Sequence, residues 1–248
     1  MTLSLWRSAL VLGLLSLVGP FAIDMYLPAM PEIVADLGVD ETAVQATITA
    51  YFIGFGLAQM VYGPWADQAG RKLPIYVGLM VFLAGSVGAA LSGTAMELTA
   101  WRFLQGLGGA ALMVLPRAII RDLHTGAAAT KLMALIMLVI SISPMLAPLA
   151  GSFVVPVFGW RAIFFILCGG ALLSLLVTGT MLPETLAKSD RVPFNLRALF
   201  SGMRTLIFDR QFLALTFVGA FGMASFFVFI ASAAFVYRDQ YGLGPTEF

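Results

Sequence analysis

Seven long apolar runs, separated by shorter polar segments, dominate the sequence. Six of them begin near Leu5, Ala43, Leu73, Glu97, Lys131 and Trp160, and the seventh extends from about Phe212 to Tyr237. A run of about 20 apolar residues is long enough to cross a bilayer as a helix. The pattern therefore predicts an all-α membrane protein, with the lipid bilayer as its surroundings and an uncleaved first helix.

Composition supports this prediction and excludes several functional classes. Of the 248 residues, 60% are hydrophobic and 11% are charged, against about 25% charged residues in a soluble domain. The net charge of +1 is not typical of a nucleic-acid-binding protein. One cysteine and one histidine give neither an internal disulfide nor a metal-ligand cluster. We predict no enzyme, cofactor or metal. The sequence also has no G-x-x-x-x-G-K-S/T loop to bind ATP, so the energy for any active process must come from an ion gradient.

The distribution of basic residues predicts the orientation. Basic residues hold a loop on the cytoplasmic side. With a cytoplasmic amino terminus, the opposite side holds only Arg161 and Arg238. The cytoplasmic segments then hold Arg7, Arg71, Lys72, Arg117, Arg121, Lys131, Lys188, Arg191, Arg197, Arg204 and Arg210.

The segment GPWADQAGRK, Gly63 to Lys72, follows the second apolar run. Its Gly-Pro pair is expected to end the second helix, and Gly70 permits a tight reversal. Asp67, Arg71 and Lys72 place three charges at the membrane surface. This segment resembles the loop G-x-x-x-D-x-x-G-R-K/R of the major facilitator superfamily, with Gln68 where many members have Arg.

A second segment resembles one subgroup of that superfamily. The stretch IDMYLPAMPEI, in the first apolar run, is similar to the first helix of the Bcr/CflA group of bacterial drug:proton antiporters. The resemblance implies multidrug efflux in exchange for protons across the bacterial inner membrane. It also implies two six-helix halves that enclose a site for a small lipophilic drug and alternate its access.

The resemblance sets the expected domains. Residues 1–183 form a six-helix amino-terminal bundle, residues 184–210 a cytoplasmic linker, and residues 211–248 the first helix of a carboxy-terminal bundle that is otherwise missing. We expect a fragment or a truncated reading frame of a longer carrier. The alternatives are a non-transporting remnant or assembly module, and a facilitator without proton coupling.

Asp24 is an acid within the first apolar run. A carboxyl group there must be paired, protonated or in contact with water. Two interpretations are open: a long helix kinked at Pro28 or Pro31 places Asp24 inside the membrane, or the helix ends at Asp24 at the outer mouth. By resemblance to drug antiporters, Asp24 would bind the proton and contact the drug.

Arg102 begins the stretch RFLQGLGG. With Gln105, Gly106 and Gly109 it lies on one helical face, where the glycines allow a neighbouring backbone to approach. The stretch resembles the superfamily motif R-x-x-Q-G, whose Arg is associated with proton transfer. Arg102 and Asp24 then form either a mobile couple or a permanent structural ion pair.

Two further segments have predicted roles. In SPMLAPLAGSF, Pro144 and Pro148 are expected to interrupt the helix and Gly151 to allow close contact. This stretch partly resembles the antiporter motif G-P-x-x-G-G. The segment RAIIRDL contributes charges that, with Asp67 and Arg71, form either an inner gate of ion pairs or a solvated basic loop; they are Arg117, Arg121 and Asp122.

A last set of side chains is predicted to line the substrate cavity. Aromatic, amide and thioether groups suit lipophilic compounds, although such a stripe also serves helix packing. The candidates are Tyr26, Tyr51, Phe55, Gln59, Gln105, Met113 and Met137.

Overall fold

The computed structural model describes residues 4–193 and 195–242, and within them the regular structure is helical. The α-helices, numbered in chain order, are α1 (Leu5–Asp24), α2 (Met30–Leu37), α3 (Glu41–Ala69), α4 (Lys72–Leu91), α5 (Ala95–Leu123), α6 (Gly126–Phe158), α7 (Arg161–Met181), α8 (Leu196–Phe208) and α9 (Arg210–Tyr241). Short 3₁₀ helices cover Leu27–Ala29 and Lys188–Asp190.

Seven helical segments of the described chain are long and apolar enough to cross a membrane. The first of them joins α1, the 3₁₀ turn and α2 into Leu5–Leu37, and the last is Arg210–Phe229 of α9. Helices α3 to α7 supply the others. The predicted all-helical architecture with seven spans is confirmed.

The first span is broken in its second half. Helix α1 ends at Asp24, and the chain passes through Met25 and Tyr26 into the 3₁₀ turn before α2 resumes. Pro28 lies within that turn. The helix thus ends where the second interpretation placed its end, yet Asp24 is only 4% exposed, so it does not lie at an open mouth.

Two predictions about prolines are wrong. The Gly63-Pro64 pair does not end the second helix, because α3 continues through both residues to Ala69 and ends at Gly70, with φ +95°. Likewise α6 continues through Pro144 and Pro148. A proline inside a helix removes one hydrogen bond, and a membrane helix held by its neighbours tolerates that loss.

Helix α5 is the centre of the bundle and packs against both α3 and α4, while α1 packs against α5, α6 and α7. The α3–α5 contact depends on glycine. A Cβ at Gly54 would overlap the backbone oxygen of Phe103, and one at Gly106 would overlap that of Tyr51. Close backbone contact therefore fixes α5 against α3 around Arg102.

The chain divides into two compact units, the first ending at Arg191 and the second beginning at Val192. The second unit contains α8 and α9, which pack on each other. Helix α8 lies within the segment predicted as a linker. The predicted domain boundaries remain a prediction.

Candidate functional site

The break after α1 leaves the Ala22 carbonyl without its helical hydrogen-bond donor, and Arg102 donates to it instead. The backbone N–H of Tyr26 donates to the Ile23 carbonyl at 3.2 Å instead of to the Ala22 carbonyl, its partner in a continuous helix. The Nη1 of Arg102 donates to the Ala22 oxygen at 3.0 Å. A cation at a helix carboxy terminus is also favourable for the helix dipole, so Arg102 stabilises the end of α1.

The Arg102 guanidinium is enclosed by aromatic rings. Its central carbon lies 4.6 Å from the ring centroids of both Tyr26 and Tyr51, and 5.9 Å from that of Phe164. Arginine over an aromatic face gains a cation–π attraction, which is larger when the pair is desolvated. Because Arg102 is 0% exposed, these rings replace much of its lost hydration.

A chain of hydrogen bonds through Gln105 and Ser86 also orients Arg102. Its Nη1 donates to the Oε1 of Gln105. The Nε2 of Gln105 donates to Ser86 at 2.7 Å, and the Ser86 hydroxyl donates to the Phe82 carbonyl at 2.8 Å. Gln105 and Ser86 are fully buried, so the spacing of Arg102 and Gln105 serves an interhelical network between α5 and α4.

Arg102 nevertheless has unused donors. Its Nε and Nη2 are buried without a hydrogen-bond partner, and no ion pair involves Arg102 in residues 4–193 and 195–242. A buried cation without an anion is costly in the membrane interior and is typical of functional positions. The site can accept an anionic group or water at these two nitrogens.

Asp24 has a different partner. The hydroxyl of Ser143, on α6, donates to its Oδ2 at 3.1 Å. No ion pair joins Asp24 to Arg102 within the described part of the chain. A permanent ion pair between them, one of the two alternatives from the sequence, is therefore not what this structure contains, and the mobile couple stays a prediction.

Tyr51 connects the two charged residues. Its hydroxyl donates to the Gly19 carbonyl of α1, the helix that ends at Asp24, at 3.3 Å, and its ring centroid lies 4.6 Å from the Arg102 guanidinium carbon. Its ring stacks on that of Phe55, with centroids 6.0 Å apart. Two of the cavity candidates thus lie beside the charged pair.

Two more cavity candidates contact Arg102, Tyr26 through its ring and Gln105 through its amide oxygen. The Tyr26 hydroxyl also shares a 2.7 Å hydrogen bond with Thr47. The other candidates are dispersed, and Gln59 is exposed. Met113 is half-buried, and Met137 lines a surface groove with Arg121. Their cavity role stays a prediction.

The glycine at position 151 permits contact between α6 and the break in the first span. A Cβ there would lie 2.5 Å from the carbonyl oxygen of Met25. Ser143, about two turns earlier on the same helix, has a buried side chain. Helix α6 therefore contacts the break at Gly151 and contacts Asp24 through Ser143.

The charged loop after α3 forms a compact cluster. Arg71 donates from Nε to Asp122 Oδ2 at 2.7 Å and from Nη2 to Asp122 Oδ1 at 3.2 Å. Its Nη1 contacts Asp67 at 2.6 Å. Among the residues that the structure describes, neither Arg117 nor Arg121 forms an ion pair, and both side chains are exposed. The arrangement brings together three of the predicted gate residues.

Glu184, which the sequence analysis missed, joins this cluster. Its carboxylate accepts the backbone N–H groups of Arg71 at 2.8 Å and Lys72 at 3.3 Å, at the amino terminus of α4. Burial alone would raise the pKa of Glu184, but these N–H groups and that of Leu186 outweigh it and hold the pKa below its ordinary 4.5. The neighbouring Thr185 hydroxyl donates to Asp122 at 3.0 Å.

Other missed residues had weak signals. Ser143 and Ser86 are serines within apolar runs, and a buried hydroxyl needs a hydrogen-bond partner. Nothing else in the sequence distinguishes Ser143 from its neighbour Ser141. Glu184 is an acid directly after an apolar run, a position suited to a cap on another helix. Nothing in the sequence specifies which helix it would cap.

These features define a polytopic helical membrane protein with a charged, hydrogen-bonded interior. The chain belongs to the Major Facilitator Superfamily, whose family model matches residues 12–248. It is therefore a multi-pass membrane protein of a transporter family, as predicted, and that family is not one of enzymes.

Its relatives include drug-resistance proteins of bacteria. It is 36% identical over 242 residues to an uncharacterized MFS-type transporter, YdgK, of Bacillus subtilis, covering 97% of this chain and 60% of that protein. It is 34% identical to a bicyclomycin resistance protein homolog of Haemophilus influenzae, covering 96% and 60%, and 30% identical to a chloramphenicol resistance protein of Pseudomonas aeruginosa, covering 99% and 58%. The predicted Bcr/CflA relationship is confirmed, and the chain spans about 60% of the length of these relatives.

Solved structures agree with the fold. A bacterial homolog of the human lysosomal transporter Spinster, in an inward-facing and unoccupied conformation, matches with a TM-score of 0.74 at 17% identity. The match covers 98% of this chain and 56% of that one. At this identity the likeness concerns the fold alone.

Proposed function

We propose that this chain is the proton-coupling part of a drug:proton antiporter that exports lipophilic drugs from the bacterial cytoplasm by alternating access. The observation that carries the proposal is the pair of buried, unlinked charged groups, Asp24 and Arg102. Asp24 is 4% exposed and Arg102 0% exposed. Buried ionisable groups in a membrane segment are typical of proton and substrate pathways.

Asp24 is the proton site in this mechanism. Its carboxylate lies at the break in the first span and has Ser143 as its hydrogen-bond donor in this structure. A proton neutralises the carboxylate, and a lipophilic drug, favoured as a cation, competes with that proton for the space beside Tyr51 and Tyr26. Loading one ligand therefore favours release of the other.

Arg102 responds to the charge on Asp24. Its Nε and Nη2 have no partner, so they are free to receive the deprotonated carboxylate when α1 and α5 shift relative to each other. Gln105 and the Ala22 carbonyl hold the guanidinium in place until then. This exchange of partners links protonation to the conformation of α1.

The cluster of Arg71, Asp67 and Asp122 serves as the inner gate. Arg71 joins the end of α3 to the end of α5 through one charge-assisted hydrogen bond to Asp67 and two to Asp122. Such contacts are strong and must be exchanged when the carrier opens inward. This assignment goes with a cytoplasmic amino terminus and a location in the inner membrane.

The test is dye efflux from cells that express the protein as its gene encodes it, in a strain without its own drug pumps. We expect efflux of a lipophilic cationic dye that stops when a protonophore dissipates the gradient. Asp24→Asn should lose gradient-driven efflux while its amount in the membrane is unchanged. The matched control is Asp36→Asn, which removes an exposed acid that pairs with Arg161 at 2.7 Å. It should retain efflux.

Three results would overturn the proposal. Full gradient-driven efflux by Asp24→Asn would remove Asp24 from the mechanism. Dye movement that is insensitive to the protonophore would favour a facilitator, and no movement by the wild type would favour a protein that does not transport these compounds.

A further inference from the structure

Helix α8, Leu196–Phe208, has a strongly one-sided surface that the transport proposal does not use. At about 100° per residue, five of its six described large apolar side chains fall within an arc of about 120°, and Phe208 at the carboxy-terminal end lies outside it. Those within the arc are Leu199, Phe200, Met203, Leu206 and Ile207. Phe200 is 63% exposed and Ile207 54% exposed, so this apolar face is open.

Basic side chains lie along one edge of that face. Arg197 and Arg204 are seven residues apart, about two turns along the same side of the helix, and both are exposed. Arginine beside an apolar face can bury its methylene groups in lipid while its guanidinium reaches the headgroups. A basic amphipathic helix with apolar residues on the other face is typical of a helix lying in a membrane interface.

The connection to α9 places α8 at a membrane surface. Only Asp209 separates Phe208 from Arg210, where α9 begins. The Asp209 side chain accepts the backbone N–H of Phe212 at 2.8 Å, as an amino-terminal cap does. Because α9 is apolar enough to cross the bilayer from Arg210 onward, the last turn of α8 must lie within one residue of the membrane surface.

A polar groove on α8 faces away from the apolar arc. It is lined by Ser201, Arg204, Thr205, Phe208 and Asp209. The Thr205 hydroxyl donates to the Ser201 carbonyl at 3.0 Å, whereas Asp209 caps α9. Arg204 with the Ser201 hydroxyl thus offers donors to a phosphate group.

We propose that α8 binds the surface of the membrane into which α9 inserts and recognises anionic phospholipid headgroups through Arg197 and Arg204. The apolar face enters the acyl boundary, and the two guanidinium groups contact lipid phosphates. The occupant is the anionic lipid surface, because the apolar arc and its basic edge complement both parts of such a lipid. This proposal does not depend on proton coupling or on the drug.

The test measures the depth of α8 in the intact chain reconstituted into vesicles. In a Cys168→Ala background, spin labels are placed at Phe200→Cys on the apolar face and at Thr205→Cys on the polar face. Collision with oxygen reports lipid, and collision with a nickel chelate reports water. Vesicles are made of phosphatidylcholine alone or mixed with phosphatidylglycerol.

We expect the label at position 200 to report lipid and the label at 205 to report water in the anionic vesicles. Arg197→Gln with Arg204→Gln should lower the ratio of membrane-bound to detached α8 in those vesicles by about thirtyfold, five- to sixfold per Arg. The matched control, Arg7→Gln with Lys131→Gln, removes two exposed charges elsewhere and should leave the ratio unchanged.

Three outcomes would overturn the inference. A label at 200 that collides mainly with the nickel chelate would place the face in water. A label shielded from both agents would place it against protein. Equal binding in the two kinds of vesicle, unaffected by the Arg substitutions, would remove the recognition of anionic lipid.

Discussion

The guanidinium carbon of Arg102 lies 4.6 Å from the centre of the Tyr51 ring, and the hydroxyl of the same tyrosine donates to the Gly19 carbonyl at 3.3 Å. Tyr51 thus contacts the buried cation with its ring and α1 with its hydroxyl. Since α1 carries Asp24, any movement of α1 changes the surroundings of Arg102. Tyr51 therefore links Arg102 to the helix that carries Asp24, while no ion pair joins the two charged residues in the described part of the chain.

The first prediction concerns the stability cost of Arg102. Two of its nitrogens have no partner, so the desolvation penalty of this buried cation, several kcal/mol, is only partly compensated. Replacing buried ionic groups by well-packed apolar side chains of similar volume is often neutral or stabilising. We expect Arg102→Met to keep or raise the thermal unfolding midpoint in detergent while efflux by the complete protein is lost.

The same substitution at Arg71 should have the opposite effect on stability. Arg71→Met leaves the Asp67 and Asp122 carboxylates without their cation. Because the Asp67 side chain is 54% exposed and that of Asp122 15% exposed, the loss costs on the order of 1–3 kcal/mol. Its unfolding midpoint should therefore fall. If Arg102→Met and Arg71→Met lowered the unfolding midpoint equally, Arg102 would contribute to the stability of the fold as Arg71 does.

Much of the site could be predicted from the sequence, for a physical reason. Asp24 and Arg102 stand out because charges in apolar runs are costly, and Gly106 stands out because a small residue there permits close packing. Their partners could not be predicted. A single hydroxyl such as Ser143 has no pattern, and its contact with Asp24 depends on how α6 crosses α1.

The helix boundaries illustrate the same limit. A proline indicates a local tendency of a helix to end or kink. Nevertheless α3 continues through Pro64 and α6 through Pro144, because packing between helices outweighs one lost hydrogen bond. The break after Asp24 begins at Met25, ahead of Pro28. There the chain is held by Arg102 on the Ala22 carbonyl and by the approach of Gly151 to Met25.

A second prediction tests the role of Ser143. Its hydroxyl fixes one oxygen of Asp24, so Ser143→Ala removes that orientation without removing the acid. We expect efflux by the complete protein to fall several-fold, with the unfolding midpoint little changed, and Ser143→Thr to restore most of it. Unchanged efflux in Ser143→Ala would show that the hydroxyl does not position the proton site.

A third prediction compares two glycines on α3. A Cβ at Gly54 would overlap the Phe103 backbone oxygen, whereas nothing lies within 4 Å of one at Gly56. Gly54→Ala should destabilise the bundle by about 1–3 kcal/mol through overpacking, and Gly56→Ala should stabilise it by about 0.5–1 kcal/mol through helix propensity. Thermal unfolding in detergent measures both, and equal shifts would contradict the close α3–α5 contact.

The last prediction concerns Glu184 and pH. Its carboxylate caps the amino terminus of α4, and the folded protein holds its pKa below the ordinary 4.5. The carboxylate therefore contributes stability that is fully present above the ordinary value and is lost as pH falls through the lowered folded value. Glu184→Gln should lower stability by about 0.3–1 kcal/mol at neutral pH, and the difference from wild type should disappear in acid.

The control for Glu184 is another acid of the same segment. Asp190 is exposed and accepts from the neighbouring Ser189 hydroxyl at 3.0 Å, a contact within one turn that joins no two helices. Asp190→Asn should leave the unfolding midpoint unchanged both at neutral pH and in acid. If Glu184→Gln kept its deficit in acid, the lost contribution could not come from the ionised carboxylate, and the effect would instead come from altered packing around Gly70, where a Cβ would meet the Glu184 side chain.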